Sequence, residues 1–235
     1  MTKAEVMEEL QSLGSEAIKA ILVKHGAREP FFGVKVEDLK KVMKKIKNDQ
    51  PLAMELYETG NSDAMYLAGL VADGSKMTKK QLQAWAEQAP SSMISEHTVP
   101  WVASENPAGH ELALEWIESP KDRLAATGWC TLAGLLAIQP DSEIDIKEVK
   151  TLLERVEKTI HTASNRTKYT MNGFVISVGG YVPALTAQAM ATAKKIGIVE
   201  VDMGGTACKV PYSPDYIQKM KDKGYIGKKR KTIRC

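Results

Sequence analysis

At 235 residues, with 43% hydrophobic and 26% charged residues, the chain has the make-up of an ordinary globular protein. No stretch reaches the roughly 18–20 uninterrupted apolar residues that cross a bilayer, and three widely spaced cysteines, Cys130, Cys208 and Cys235, argue against a disulfide framework or a structural zinc knuckle. The net charge of +3 is unevenly spread: Lys219, Lys221, Lys223, Lys228, Lys229, Arg230, Lys231 and Arg234 against Asp222 give the C-terminal stretch +7 and leave −4 for the rest. Such a tail is either solvated or phosphate-seeking, because clustered cations release counterions from a polyanion. The opening Met1-Thr2-Lys3-Ala4-Glu5 turns polar at once, without the apolar run of a signal peptide, so a cytoplasmic location is expected.

In chain order the elements read as helix after helix. Thr2 with Glu5 forms a capping box ahead of Val6, Leu10 and Leu13, and Ala17, Ile18, Ile21 and Leu22 continue the run to Gly26. After Phe31-Phe32-Gly33-Val34 comes an amphipathic helix from Val36 to Ile46. Pro51 suits a helix start, Asn61-Ser62 caps the next apolar run, and Thr78 caps Leu82, Trp85 and Ala86. Further helical stretches cover residues 93–103, 110–117, 121–138, 146–164, 168–181 and 184–196. Apolar helix pairs recur every 35 to 45 residues, the spacing of stacked helical repeats. The expected fold is therefore all-α, a curved solenoid of antiparallel helix pairs over residues 1–197.

Residues 198–210 break the pattern. They alternate with period two on both sides of Gly204-Gly205, which pairs Val201 with Cys208, Glu200 with Lys209 and Val199 with Val210. A β-hairpin over residues 198–211 is expected, followed by a C-terminal helix and basic tail over 212–235, all within one domain. The Val199, Val201, Cys208 and Val210 face should rest on the helices. A hairpin is structural cover or, since a two-stranded ribbon fits the DNA major groove, a reader element.

Catalytic patterns are scarce. There is no phosphate-loop, dinucleotide or nucleophile-elbow motif, so no cofactor is expected. Glu96-His97 and His110-Glu111 are adjacent pairs that do not share a helix face, so no metal is expected. Trp85, Trp101, Trp116 and Trp129 stand among apolar neighbours, as core residues do.

The stretch Phe32-Gly33-Val34-Lys35-Val36-Glu37-Asp38-Leu39 resembles an early segment of the HEAT-like-repeat DNA alkylation repair (alkylpurine DNA glycosylase) superfamily, and looser agreement runs to Tyr181. Active members carry a W-D-x-V-D-type segment whose last aspartate stabilises a cationic sugar. The matching stretch here is Ser91-Ser92-Met93-Ile94-Ser95-Glu96-His97, which puts Ser95 on the aspartate and Ser91 on the tryptophan. A neutral hydroxyl cannot supply the charge that this transition state needs. Glu96, about 100° further around a helix, is a weak substitute. The resemblance also implies DNA contacts at Arg123, the survivor of a paired arginine, and at Phe174, where the family has a lesion-facing tryptophan. Residues 202–210 and 227–232 are similar to the AlkF/AlkG branch, whose properties imply branched-DNA binding without base excision.

Three functions are thus open. The leading expectation is a non-catalytic binder of branched DNA, associated with a bacterial-type nucleoid, that reads structure rather than sequence. Its phosphate contacts would be Arg123, Arg166 and Lys168, with Lys209 on the hairpin and Lys228, Lys229, Arg230 and Lys231 on the tail. The alternatives are an alkylpurine glycosylase working through Glu96, and a HEAT-type protein scaffold with a solubilising tail.

Overall fold

The computed structural model describes residues 1–234 and is mostly helical; among these residues no β-strand forms. The chain divides into two compact units, one holding residues 1–109 with 203–206 and Arg234, the other holding 110–202 and 207–233.

In the first unit α1 (Lys3–Ser12) opens on the expected box: the Thr2 N–H donates to Glu5 Oε2 at 2.7 Å and the Glu5 N–H to Thr2 Oγ1 at 3.3 Å. The run expected to continue to Gly26 is broken at Gly14, and α2 (Glu16–Lys24) is a separate helix. The break has a tertiary cause, because the Ser15 N–H donates to the Phe32 carbonyl at 3.1 Å. Then follow α3 (Val36–Ile46), α4 (Gln50–Glu58), α5 (Ser62–Val71) and α6 (Lys79–Gln88). Asn61 caps α5 through the Asp63 and Ala64 N–H groups, and Thr78 forms a second capping box with Gln81.

Every residue of α5 is buried, as a helix packed on all sides requires. Asp63 in its first turn does more than cap. Its carboxylate accepts from the N–H groups of Phe32, Gly33 and Val34 at 2.6, 2.9 and 3.2 Å, so the apolar connector is tied to the central helix. Tyr57 stacks flat on Trp85 at 3.8 Å between ring centroids and donates to the Trp85 carbonyl at 2.6 Å. A π-helix (Ile94–Thr98) runs directly into α7 (Val99–Ser104).

The second unit takes up the chain within α8 (Gly109–Trp116) and continues with α9 (Asp122–Ile138), α10 (Ile146–Thr159), α11 (Asn165–Tyr181), α12 (Thr186–Ile196) and α13 (Ser213–Asp222). Trp129, Leu132, Leu153, Val156, Phe174, Val175 and Val178 form the middle of its core. All four tryptophans are buried, as their neighbours in the sequence suggest. Gly128 lets α8 come close: a Cβ there would lie 2.7 Å from the Ala113 carbonyl oxygen and 2.8 Å from the Ile117 nitrogen. Backbone cannot step aside as a side chain can, so Gly128→Ala is expected to cost about 1–3 kcal/mol. A thermal melt unchanged from the parent would show that these helices are not closely seated.

The expected hairpin does not form. Its turn does: Gly204 and Gly205 both take positive φ, 66° and 72°, and the Thr206 N–H donates to the Met203 carbonyl. The flanks, however, find partners on α11 instead of each other. Asn165 receives the Asp202 N–H at 2.8 Å and donates to the Asp202 carbonyl at 2.9 Å, and Asn172 donates to the Pro211 carbonyl at 2.8 Å. Amide side chains on the helix thus satisfy backbone groups that a ladder would have used. The predicted face is partly kept, since Val199, Val201 and Val210 pack on the second unit's core while Cys208 is exposed.

Candidate nucleic-acid interface

Two groups of cations stand at opposite ends of one helix pair. Helices α9 and α11 run parallel, because a single residue ties their starts together and another ties their ends. At the start, Asp122 accepts from the Arg166 and Thr167 N–H groups at 3.0 and 2.8 Å and from the Ser164 and Thr167 hydroxyls at 2.6 and 2.8 Å. Burial pushes its carboxyl pKa up, but these donors outweigh burial and hold it below the ordinary aspartate value. At the far end, Lys229 Nζ donates to the carbonyls of Leu136 and Tyr181 at 3.0 and 2.8 Å and pairs with Asp141 at 2.9 Å. Each helix spans 17 residues, so the ends lie about 25 Å apart.

Arg123, Arg166 and Lys168 gather at the first end, all half-buried, with the Arg166 guanidinium 4.5 Å from the centre of the Tyr169 ring. Lys228, Arg230 and Lys231 are exposed at the second end. The backbone here is docked: Gly227 donates to the Gly180 carbonyl at 2.8 Å and Arg230 to the Ala137 carbonyl at 2.7 Å. Lys209 is exposed on the extended segment between its anchors at Asp202 and Pro211. In the first unit Arg234 pairs with Glu105 and donates to the Leu70 carbonyl.

Two expected contact residues are otherwise engaged. Phe174 is fully buried, edge-on to Trp129 at 5.1 Å, and is part of the core rather than a surface that faces a base. Lys229 is occupied by two carbonyls at the C-terminal ends of α9 and α11, where a cation is favoured by the aligned carbonyls, and by the Asp141 carboxylate. Its place in a run of basic residues gives no hint of that role.

The position matching the family's catalytic aspartate lies in the π-helix. Ser95 is completely buried, and its hydroxyl finds no hydrogen-bond partner among the described residues. Glu96 is 6% exposed. At 0% exposure the Ser95 hydroxyl is out of reach of a substrate atom in this arrangement. Among the described residues no cluster of His, Cys, Asp or Glu could hold a metal ion. His110 pairs with Glu148 at 2.7 Å, and His161 meets the Ile196 carbonyl at the end of α12 at 3.0 Å.

These features define an α-helical repeat protein with cations gathered at helix ends. Residues 6–199 match the family described as DNA alkylation repair enzyme, and the chain belongs to that family. It is 35% identical to an uncharacterized protein of Listeria monocytogenes and 34% identical to one of Listeria innocua, each over 92% of this chain and 95% of the relative. A solved structure, described as a new family of proteins related to the HEAT-like repeat DNA glycosylases with affinity for branched DNA structures, matches with a TM-score of 0.91 and 38% identity over the full length of both chains. The fold is therefore the HEAT-like repeat fold.

Proposed function

We propose that this chain is a non-catalytic DNA-binding protein selective for branched structures, closest within its family to the AlkF/AlkG branch and associated with the nucleoid in the cytoplasm. The observation that carries the reading is the placing of Arg123, Arg166 and Lys168 at one end of the α9–α11 pair and Lys228, Arg230 and Lys231 at the other. Because Asp122 already occupies the N–H donors of α11, phosphates at the first end must be held by side chains. Two cation groups about 25 Å apart can grip separate stretches of backbone, as two arms of a junction present them. The neutral, buried Ser95 and the affinity of the structural neighbour for branched DNA support the same reading.

The test is the salt dependence of DNA binding by the whole chain. Six phosphate contacts should give a slope of log K against log salt of about −5 on duplex DNA. No retention of DNA at physiological salt would place the chain among protein scaffolds instead.

A further inference from the structure

Among the Phe, Tyr and Trp side chains of the described residues, only three are exposed: Tyr212 at 43%, Tyr216 at 49% and Tyr225 at 50%. All three fall within 14 residues of the basic C-terminal region. Scattered surface rings need no explanation, whereas a cluster in one charged segment does.

Local geometry puts them to use. The inner face of α13 is committed to the core: Ile217 and Ser213 are buried, and Ile217 and Met220 sit where Cβ atoms on Gly179 and Gly180 of α11 would collide with them. Ser213 donates to Asn172, fixing the start of the helix. At 100° per residue, Tyr212, Tyr216, Lys219 and Lys223 fall within about 60° of one another, on a stripe centred roughly 100° around the helix from Ser213, Ile217 and Met220. The result is a stripe about 16 Å long with two rings followed by two ammonium groups. Gln218 takes up the Asp222 carboxylate at 2.7 Å. Beyond the helix end, Gly224 turns the chain at φ 63° and the Tyr225 N–H donates back to the Met220 carbonyl at 2.9 Å. This turn presents Tyr225 with Lys228 Nζ 5.2 Å above its ring.

We propose that this stripe, with Tyr225, is a stacking platform for unpaired DNA bases. Every base has a π-face and every linkage a negative charge, so rings with lysines beside them hold a single strand without reading its sequence. The proposal rests on the DNA-binding reading and extends it, because a branch point is where bases become unpaired. Tyr212 and Tyr216 leave close to half of their surface in solvent, and the lysines supply the charge complementarity.

The experiment measures binding of the whole chain to a labelled oligo-dT strand, a blunt duplex and a four-way junction by fluorescence anisotropy. Tyr212→Ala/Tyr216→Ala is expected to weaken oligo-dT binding by about 30-fold or more and to leave duplex binding unchanged. Tyr212→Phe/Tyr216→Phe should retain oligo-dT binding, because stacking needs the ring and not the hydroxyl. Lys219→Gln/Lys223→Gln should flatten the salt slope on oligo-dT by about 0.7 per lost contact. Circular dichroism melts matching the parent keep folding out of the comparison. If the alanine pair binds oligo-dT like the parent, or the phenylalanine pair fails as badly, the platform is overturned while junction binding still stands. A parent that binds no DNA overturns the underlying reading, and tighter binding of oligo-rU through the same tyrosines overturns the assignment to DNA.

Discussion

Replacing Asp122 with alanine is expected to cost about 2–3 kcal/mol, the largest effect on stability of any single polar side chain in the second unit. The carboxylate receives two backbone and two hydroxyl hydrogen bonds from residues 164–167, and removing it leaves the first turn of α11 without its acceptor. For a chain of this length the loss corresponds to a melting temperature lower by about 5–10 °C. The same residue predicts a pH dependence. Its folded-state pKa lies below the ordinary value of 3.8, so the unfolded chain takes up its proton first as pH falls. The stabilisation is complete above pH 3.8 and is lost as pH drops through the folded value. Asp122→Asn keeps an acceptor but no charge, so it should melt between parent and alanine variant and lack this acid-side loss. Melting of the alanine variant within a degree of the parent would show that α11 does not depend on the tie.

The second large effect concerns DNA. The triple variant Lys228→Gln, Arg230→Gln, Lys231→Gln should flatten the salt slope on duplex DNA by about 2.7, and Arg123→Gln, Arg166→Gln, Lys168→Gln should do the same. Because the two groups lie about 25 Å apart, their effects should add. Lys229→Gln is the internal control. Its ammonium is committed to Leu136, Tyr181 and Asp141, so it should lower the melting temperature and leave the slope unchanged. A slope altered by Lys229→Gln but not by its neighbours would reverse the assignment of roles within the basic run.

What could be read from the sequence was local. The boxes at Thr2 and Thr78 and the cap at Asn61 lie within three residues of the groups they satisfy, so spacing alone reveals them. The helices followed from apolar periodicity, and the Gly204-Gly205 turn followed from two residues that tolerate positive φ. What escaped was long-range. Asp63 reaches back 29 to 31 residues, Asp122 acts 42 to 45 residues ahead, and Lys229 caps a carbonyl 93 residues away. The hairpin shows the same limit in reverse. Alternation placed Val199, Val201 and Val210 on one face, but it could not reveal that Asn165 and Asn172 would compete for the backbone of their segment.

The site divides along the same line. Composition marked the basic run, yet only the fold separates Lys228, Arg230 and Lys231 from the structural Lys229. It also moves Phe174 from an expected contact into the core. The cluster of Tyr212, Tyr216 and Tyr225 among lysines was visible in the sequence, but its meaning depends on exposure. Only with Ile217 and Met220 seated over Gly179 and Gly180 does the outward stripe of α13 become defined.

The central claim is that paired cation groups on a helical-repeat frame favour DNA whose arms diverge. A competition between a four-way junction and a linear duplex of matched length, at fixed salt, tests it most directly. The junction should displace a labelled junction probe at a clearly lower concentration than the duplex does. Equal displacement by the two would contradict the claim and leave a general DNA binder.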